Sequence, residues 1–335
     1  MPERSVMKKH YDLLGTTVEL GFNTRTWLTS AAEYLSMPQC QYPAPPVGIQ
    51  LNLLEAAACE ADRLVALPDE TCKQDESVML LSSPVKTRYY TREFQRWVDY
   101  EGYGRVWLDY ARGAATAVRF RDSGFDPFYS DILFSYNLLT GLLIKAGFYS
   151  IHASCVNLGG KGVLFTGNSG KGKSTAAFAL MRKGHPALSD DRVLITKKET
   201  YLGVAISDVI KLRKQAALEF FPDLAADRLL HELDGELFLK VGNLQKWPEY
   251  KASVPIHHLF ILDRTGQPQS SLARINPARV VGELFPVTLS TWDPYNIEKK
   301  FVYLMEFLEN ISCWQVSFGT DMDEFARVIE KAVMR

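Results

Sequence analysis

The clearest pattern of apolar and polar positions lies in the second half of the chain. Residues 151–158 read as a strand, Gly159-Gly160 as a hairpin turn and 162–166 as a buried strand. Residues 174–183 read as a helix stopped by Gly184. Strand-like runs recur at 193–196, 237–241, 256–262 and 313–318. A final helix is expected from Met322. There Phe325, Val328, Ile329, Ala332 and Val333 form one apolar stripe, and Asp321 with Glu324 has the spacing of a capping box. The first half is less regular. Prolines within 43–46 interrupt it, and strand-like runs follow at 78–81, 89–98 and 105–110. Residues 130–148 read as a helix, with Asp131 near its start and Lys145 near its end, as the helix dipole favours. These patterns predict an α+β unit over 1–129, for substrate recognition or assembly, and an α/β unit over 130–335.

Composition narrows the class without naming a chemistry. The 335 residues are 47% hydrophobic and 23% charged, which is globular usage with room for two domains. Thirty-eight basic residues face 39 acidic ones, for a net charge of −1, so the chain lacks the basic footprint of a nucleic-acid or anionic-membrane binder. Five cysteines, at 40, 59, 72, 155 and 313, are odd in number and lack Cys-x-x-Cys spacing, which suggests free thiols rather than a disulfide or zinc framework. The most apolar helical stretch, 132–144, is too short to span a bilayer, and residues 1–5 lack an apolar signal core. A cytoplasmic protein with no membrane insertion is expected.

The chemistry enters at Gly167-Asn168-Ser169-Gly170-Lys171-Gly172-Lys173-Ser174, which meets the pattern G-x-x-x-x-G-K-S. Glycines let backbone N–H groups turn inward around phosphate oxygens, and the following helix points its positive end at them. Lys173 is expected on the β/γ-phosphates and Ser174 on Mg²⁺, with Thr175 closing the nucleotide-binding set. Lys171 is a phosphate contact or a solvated loop lysine. A strand before the loop and a helix after it argue against a chance match. Asp190 and Asp191 follow the post-loop helix after a short connection, where a returning strand brings them beside the loop. One carboxylate could hold the metal while the other takes a proton from an acceptor hydroxyl; a solvated Asp-Asp turn is the plain alternative. His152 is a third candidate, at either the loop end or the far end of its strand.

Residues 152–193 resemble the catalytic core of HPr kinase/phosphorylase, the bacterial serine kinases related in fold to phosphoenolpyruvate carboxykinase. The resemblance rests on His152, the hairpin, Gly162-Val163-Leu164, the glycine-rich loop, Gly184-His185 and Asp190-Asp191-Arg192-Val193. It extends less closely through the rest of the chain. It implies a P-loop kinase core with a mixed sheet, using ATP and Mg²⁺. It also implies Lys173 on the phosphates, Ser174 and Asp191 at the metal, Asp190 as the base toward a serine hydroxyl and His152 as its partner. The family's E-I-R-G stretch stands here as Lys211-Leu212-Arg213-Lys214. Arg213 is then a phosphate contact, but the carboxylate is gone, and with it the case for the reverse phosphorylase reaction. The first 130 residues do not resemble the family's usual N-terminal domain. The expected partner is therefore a protein or peptide with an acceptor serine, such as a ribosomal peptide precursor, with a homo-oligomer left open. A small-molecule kinase acting, for example, on free serine and a non-catalytic nucleotide-sensing regulator are the competing readings.

Other signals were given structural readings. His257-His258 in a strand face opposite ways, His231 with Glu232 and Asp234 forms a polar loop, and His185 belongs to a turn. Tyr89, Tyr90, Phe94 and Trp97 are explained by a half-buried sheet face, and Glu219-Phe220-Phe221 by core packing.

Overall fold

The computed structural model describes residues 6–40, 47–80, 83–124, 126–224, 229–240, 253–288 and 296–334. The chain divides into two compact units, Met1–Phe148 and Tyr149–Arg335. The prolines of 43–46 lie outside the described residues.

The first unit is built on one mixed eight-stranded sheet. Its strands are β1 (Met7–Leu13), β2 (Thr16–Phe22), β3 (Val47–Ala56), β4 (Lys73–Leu80), β5 (Ser83–Arg92), β6 (Gln95–Tyr100), β7 (Gly104–Asp109) and β8 (Ala114–Phe120), in the order β1-β2-β3-β8-β7-β6-β5-β4. The β2/β3 and β3/β8 ladders are parallel and the others antiparallel. The single run expected at 89–98 is a hairpin, reversed at Glu93 with a φ of +49°. Tyr89, Tyr90 and Trp97 are buried in this sheet, and only Phe94 at the turn is exposed. Helices α1 (Arg25–Tyr34) and α2 (Ala61–Leu64) precede a longer helical run. That run consists of α3 (Pro127–Asp131), a π-helical turn, α4 (Asn137–Leu142) and a 3₁₀ turn.

This run begins earlier than its charge pattern predicts. Asp126 caps it, accepting from the Tyr129 N–H at 3.0 Å, Pro127 occupies the first helical position, and Gly147 at φ +81° ends it. Its buried side chains Leu138, Leu139 and Leu142 belong to a helix packed on β3 and β8. The helical run is therefore part of the first unit, and the division falls after Phe148 rather than before Ser130.

The second unit is α/β with a mixed sheet. Its strands are β9 (Tyr149–Ile151), β10 (Ser154–Leu158), β11 (Lys161–Thr166), β12 (Ala187–Ser189), β13 (Val193–Lys197), β14 (Tyr201–Val204), β15 (Val209–Arg213), β16 (Leu229–Leu233), β17 (Glu236–Lys240), β18 (Ser253–Arg264), β19 (Ser271–Arg274) and β20 (Ser312–Phe318). The main sheet runs β12-β10-β11-β18-β14-β13-β9, with β20 joining β18 to β19, and β15-β17-β16 form a separate small sheet. The β11/β18 and β18/β20 ladders are parallel. Helices α5 (Lys173–Arg182), α6 (Lys214–Phe220), α7 (Pro277–Thr288), α8 (Ile297–Glu309) and α9 (Met322–Val333) complete the unit.

Strand alternation sets the layers. Val163 and Phe165 of β11 join a core with Phe178 of α5 and Phe325 of α9, whereas Leu164 joins the opposite core with Leu284 of α7 and Leu304 of α8. The Gly159-Gly160 hairpin forms as expected, with both glycines at positive φ and the Asn157 Oδ1 accepting from the Gly160 N–H at 2.8 Å. The expected capping box on α9 is half formed. The Asp321 carboxylate accepts from the Glu324 N–H at 2.9 Å, but Glu324 accepts instead from the Ser270 N–H at 2.8 Å. His231 and Glu232 lie on β16 rather than in a loop. Phe221 is buried in the core as expected.

Phe165 stacks on Phe260 at 5.6 Å between ring centroids and meets Phe325 at 6.0 Å, fully buried. Phe165→Ala should destabilise the second unit by about 3–5 kcal/mol, read as a lower urea midpoint. An unchanged midpoint would contradict this packing.

Candidate active site

The site is assembled from a loop and two interrupted strands. After β11 the chain enters the glycine-rich loop at Gly167 (φ +142°), and Gly170 (φ +84°) and Gly172 (φ +98°) reverse it again before α5. At Gly172 a side chain is excluded twice, by its φ and by the Phe318 ring, 2.8 Å from where a Cβ would stand. Lys173 opens α5 and folds back over the loop, its Nζ donating to the carbonyls of Gly167 at 2.8 Å and Asn168 at 3.4 Å. This strand–loop–helix arrangement has the geometry of a phosphate-binding loop at a helix N-terminus.

The run expected as one strand over 151–158 is two. β9 pairs with β13, β10 pairs with β11 and β12, and His152 sits in the break between them. Asp190 and Asp191 occupy the matching break between β12 and β13. Because Ile151 pairs with Val193 and Cys155 with Ser189, the two breaks lie side by side. That places His152 at the loop end of the sheet, where sequence had left two positions open. Its Nδ1 is 2.8 Å from the Asp191 carbonyl and 3.4 Å from the Asp191 Oδ1. A carbonyl can only accept, so the proton is assigned to Nδ1 and the Nε2 lone pair is left as an acceptor.

The two aspartates part company because Asp191 adopts φ +65°, a left-handed conformation uncommon outside glycine. The Asp190 side chain is buried. It accepts from the Ser154 hydroxyl and, at 2.9 Å, from the Lys211 N–H. The Asp191 side chain remains 37% exposed and lines a cleft with His152, Lys173, Ser174, Thr175, Lys211 and Arg213. The candidate base Asp190 is thus the closed carboxylate and the metal candidate Asp191 the open one, the reverse of the expected arrangement.

Charge follows the same division. Burial pushes the Asp190 carboxyl above its ordinary range, against the bonds from Ser154 and Lys211. Burial also acts to raise Asp191, but the nearby charges of Lys211, Arg192 and Lys173 outweigh it and hold that carboxyl low. His152 is depressed, first by burial, with Asp191 opposing and Lys173 reinforcing, so a neutral imidazole stands against an ionised carboxylate. Burial likewise lowers the Lys173 ammonium, against the pull of Asp191 and Asp190.

β15 supplies the cationic wall. Lys211 and Arg213, two residues apart on one strand, both line the cleft. Lys211 pairs with Glu236 at 3.1 Å. Burial would lower its pKa, but Asp191 and Glu236 raise it above the ordinary value. The Arg213 Nη2 donates to the Ser169 Oγ at 3.2 Å, which brings this expected phosphate contact to the loop. Lys171 is drawn away, its Nζ bonded to the Asp263 Oδ1 at 2.6 Å. Sequence reasoning missed Ser154, Thr166, Thr288 and Glu236. The alternation that puts His152 and Ser154 two apart was the one signal available for Ser154. His185 pairs with Glu330 at 2.7 Å, and His258 accepts from the Trp314 Nε1 at 3.2 Å while His257 stays exposed.

The fold and the loop define an α/β protein with a glycine-rich loop at a helix N-terminus. Residues 146–213 match the family model of the HPr serine kinase C-terminal domain. The HPr kinase/phosphorylase of Levilactobacillus brevis is 30% identical over 118 residues, covering 34% of this chain and 36% of that protein. That of Mycoplasmopsis pulmonis is 39% identical over 72 residues, covering 21% and 23%. The solved Hpr(Ser) kinase/phosphatase from Coxiella burnetii aligns with 55% of this chain and 93% of its own at 14% identity, with a TM-score of 0.29. The segment that carries the loop, His152 and both aspartates is thus HPr-kinase-like. The chain spans about a third or less of the length of these two curated relatives.

Lys211 is the foremost charge holding Asp191 low. In Lys211→Met the Asp191 carboxyl should therefore titrate at higher pH than in the parent protein, followed by ¹³C NMR of the side-chain carboxyl. An unmoved titration would contradict the charge assignment.

Proposed function

We propose that this protein is a Mg-ATP-dependent kinase that transfers the γ-phosphate to a serine hydroxyl of a protein or peptide, ribosomal peptide precursors among them. The observation that carries this reading is the division of the two adjacent carboxylates. Asp190 is closed against the Ser154 hydroxyl and the Lys211 N–H, and Asp191 opens to the cleft beside a neutral His152. A phosphate loop alone supports binding; an open carboxylate–imidazole pair beside it supports transfer to a hydroxyl.

The residues suit the donor and its metal. Among the described residues no group of three or more His, Cys, Asp or Glu side chains could hold a metal ion by itself. Mg²⁺ suits such a site, since it binds through one or two protein oxygens and takes its other ligands from phosphates and water. Ser174 and Asp190 would supply those oxygens, and a carboxylate whose burial disfavours its charge gains most from a cation. When bound, the metal would offset charge on the β- and γ-phosphates. Lys173 and Arg213 hold the phosphate oxygens from the loop side. Asp191 accepts the proton of the acceptor hydroxyl as its oxygen bonds to the γ-phosphorus and the bond from that phosphorus to the bridging oxygen breaks, releasing ADP, and His152 orients that carboxylate. The two aspartates thereby exchange the roles that the family resemblance suggested.

The protein incubated with Mg-ATP and serine-bearing peptides should add the mass of one phosphoryl group to a serine, detected by mass spectrometry. Asp191→Asn should lower kcat by about 10²–10⁴-fold with Mg-nucleotide affinity retained, whereas Asp190→Asn should weaken Mg-nucleotide binding itself. Full transfer by Asp191→Asn would refute the base assignment. The pH dependence has a definite sign. The depressed His152 stays neutral below the ordinary imidazole value of about 6.5, so kcat should hold through that value and fall only at lower pH. A fall centred at or above it would contradict the assigned state of His152.

A further inference from the structure

Lys300 carries a charge that the chemistry above leaves unused. It lies in the first turns of α8, only 7% exposed. Burying an ammonium is costly unless strong hydrogen bonds replace its water. Its Nζ donates to the Thr288 carbonyl at 2.7 Å and to the Ser150 hydroxyl at 3.1 Å. Both partners lead to His152. Ser150 is two residues before it on β9, and the Thr288 Oγ1 accepts from the His152 N–H at 3.2 Å.

The need for such a device follows from the strand break. In a continuous strand the ladder would bond the N–H and C=O of residue 152, and a buried main-chain group left without a partner is costly. Here two threonine hydroxyls replace the ladder: Thr288 takes the N–H, and Thr166 donates to the C=O at 3.1 Å. Thr166 ends β11 and is held by the sheet. Thr288 ends α7, where carbonyls have no intrahelical donor, and an ammonium there both satisfies the carbonyl and complements the helix dipole. Lys300 therefore holds a main-chain partner of His152 that the sheet does not.

We propose that Lys300 is a positioning residue: through Thr288 and Ser150 it fixes the backbone of His152, so that the ring Nδ1 meets the Asp191 carbonyl. Its effect on turnover rests on the reading of His152 and Asp191 given above, while its effect on the ring does not. The test compares Lys300→Met, Lys300→Arg and Thr288→Val in the full-length chain. It reads kcat, Mg-nucleotide Kd and the ¹⁵N shifts of the His152 ring, which report its tautomer. Lys300→Met and Thr288→Val should each lower kcat about tenfold to a hundredfold with Kd within about twofold, and each should lose the single Nδ1–H tautomer. Lys300→Arg should recover most of both. Should Lys300→Met fail to fold, Thr288→Val, which keeps the side-chain volume, decides the matter. If the parent protein transfers no phosphate, the kinase reading fails, and the ring shifts alone decide this one. An unchanged tautomer in the folded variants, or kcat and nucleotide affinity lost together, would show that Lys300 serves the fold only.

Discussion

The contact between the His152 ring and the main chain of Asp191 is the point on which the second unit's chemistry turns. It spans two strand breaks that lie together because the strands on either side are paired: β9 with β13, and β10 with β12. If either strand ran unbroken, its side chains would alternate between the two cores, and no polar group would face the loop. At His152 two threonine hydroxyls replace the missing ladder bonds, and at the other break the Asp190 carboxylate is held by the Ser154 hydroxyl and the Lys211 N–H. The positive φ of Asp191 then separates two neighbouring carboxylates into a closed one and an open one.

Charge reinforces the separation. Lys173, Lys211 and Arg213 converge on the cleft with Asp191 and Glu236. Where the resemblance leads one to expect a carboxylate, this chain has Lys211, paired to Glu236 across the small sheet. A fixed ammonium there holds the Asp191 carboxyl low and keeps it ionised.

Much of this was legible from residue order, and what was not has physical causes. The loop could be read because three positive-φ positions demand glycine and one position demands lysine. The hairpin could be read because Gly159-Gly160 fits one turn type. The final helix could be read from its apolar stripe, although Glu324 turned to Ser270 rather than back to its own cap. The break at His152 was invisible, since Ile151, Ala153 and Val156 look the same in one strand or two. Which aspartate is closed and which open was not legible, because a side chain's direction depends on a single φ that no pattern encodes. The contribution of Thr288 and Lys300 arises from contacts more than a hundred residues away, between 136 and 150 positions along the chain. The helical run that ends the first unit showed its apolar face in sequence, but not the sheet that face covers.

The most direct test is a crystal structure with Mg²⁺ and a non-hydrolysable ATP analogue. The metal should lie on the side of Ser174 and Asp190, with the Asp191 carboxylate free of it and turned with His152 toward the terminal phosphate. A metal coordinated by Asp191, with Asp190 facing the acceptor side, would contradict the proposed roles of the two aspartates.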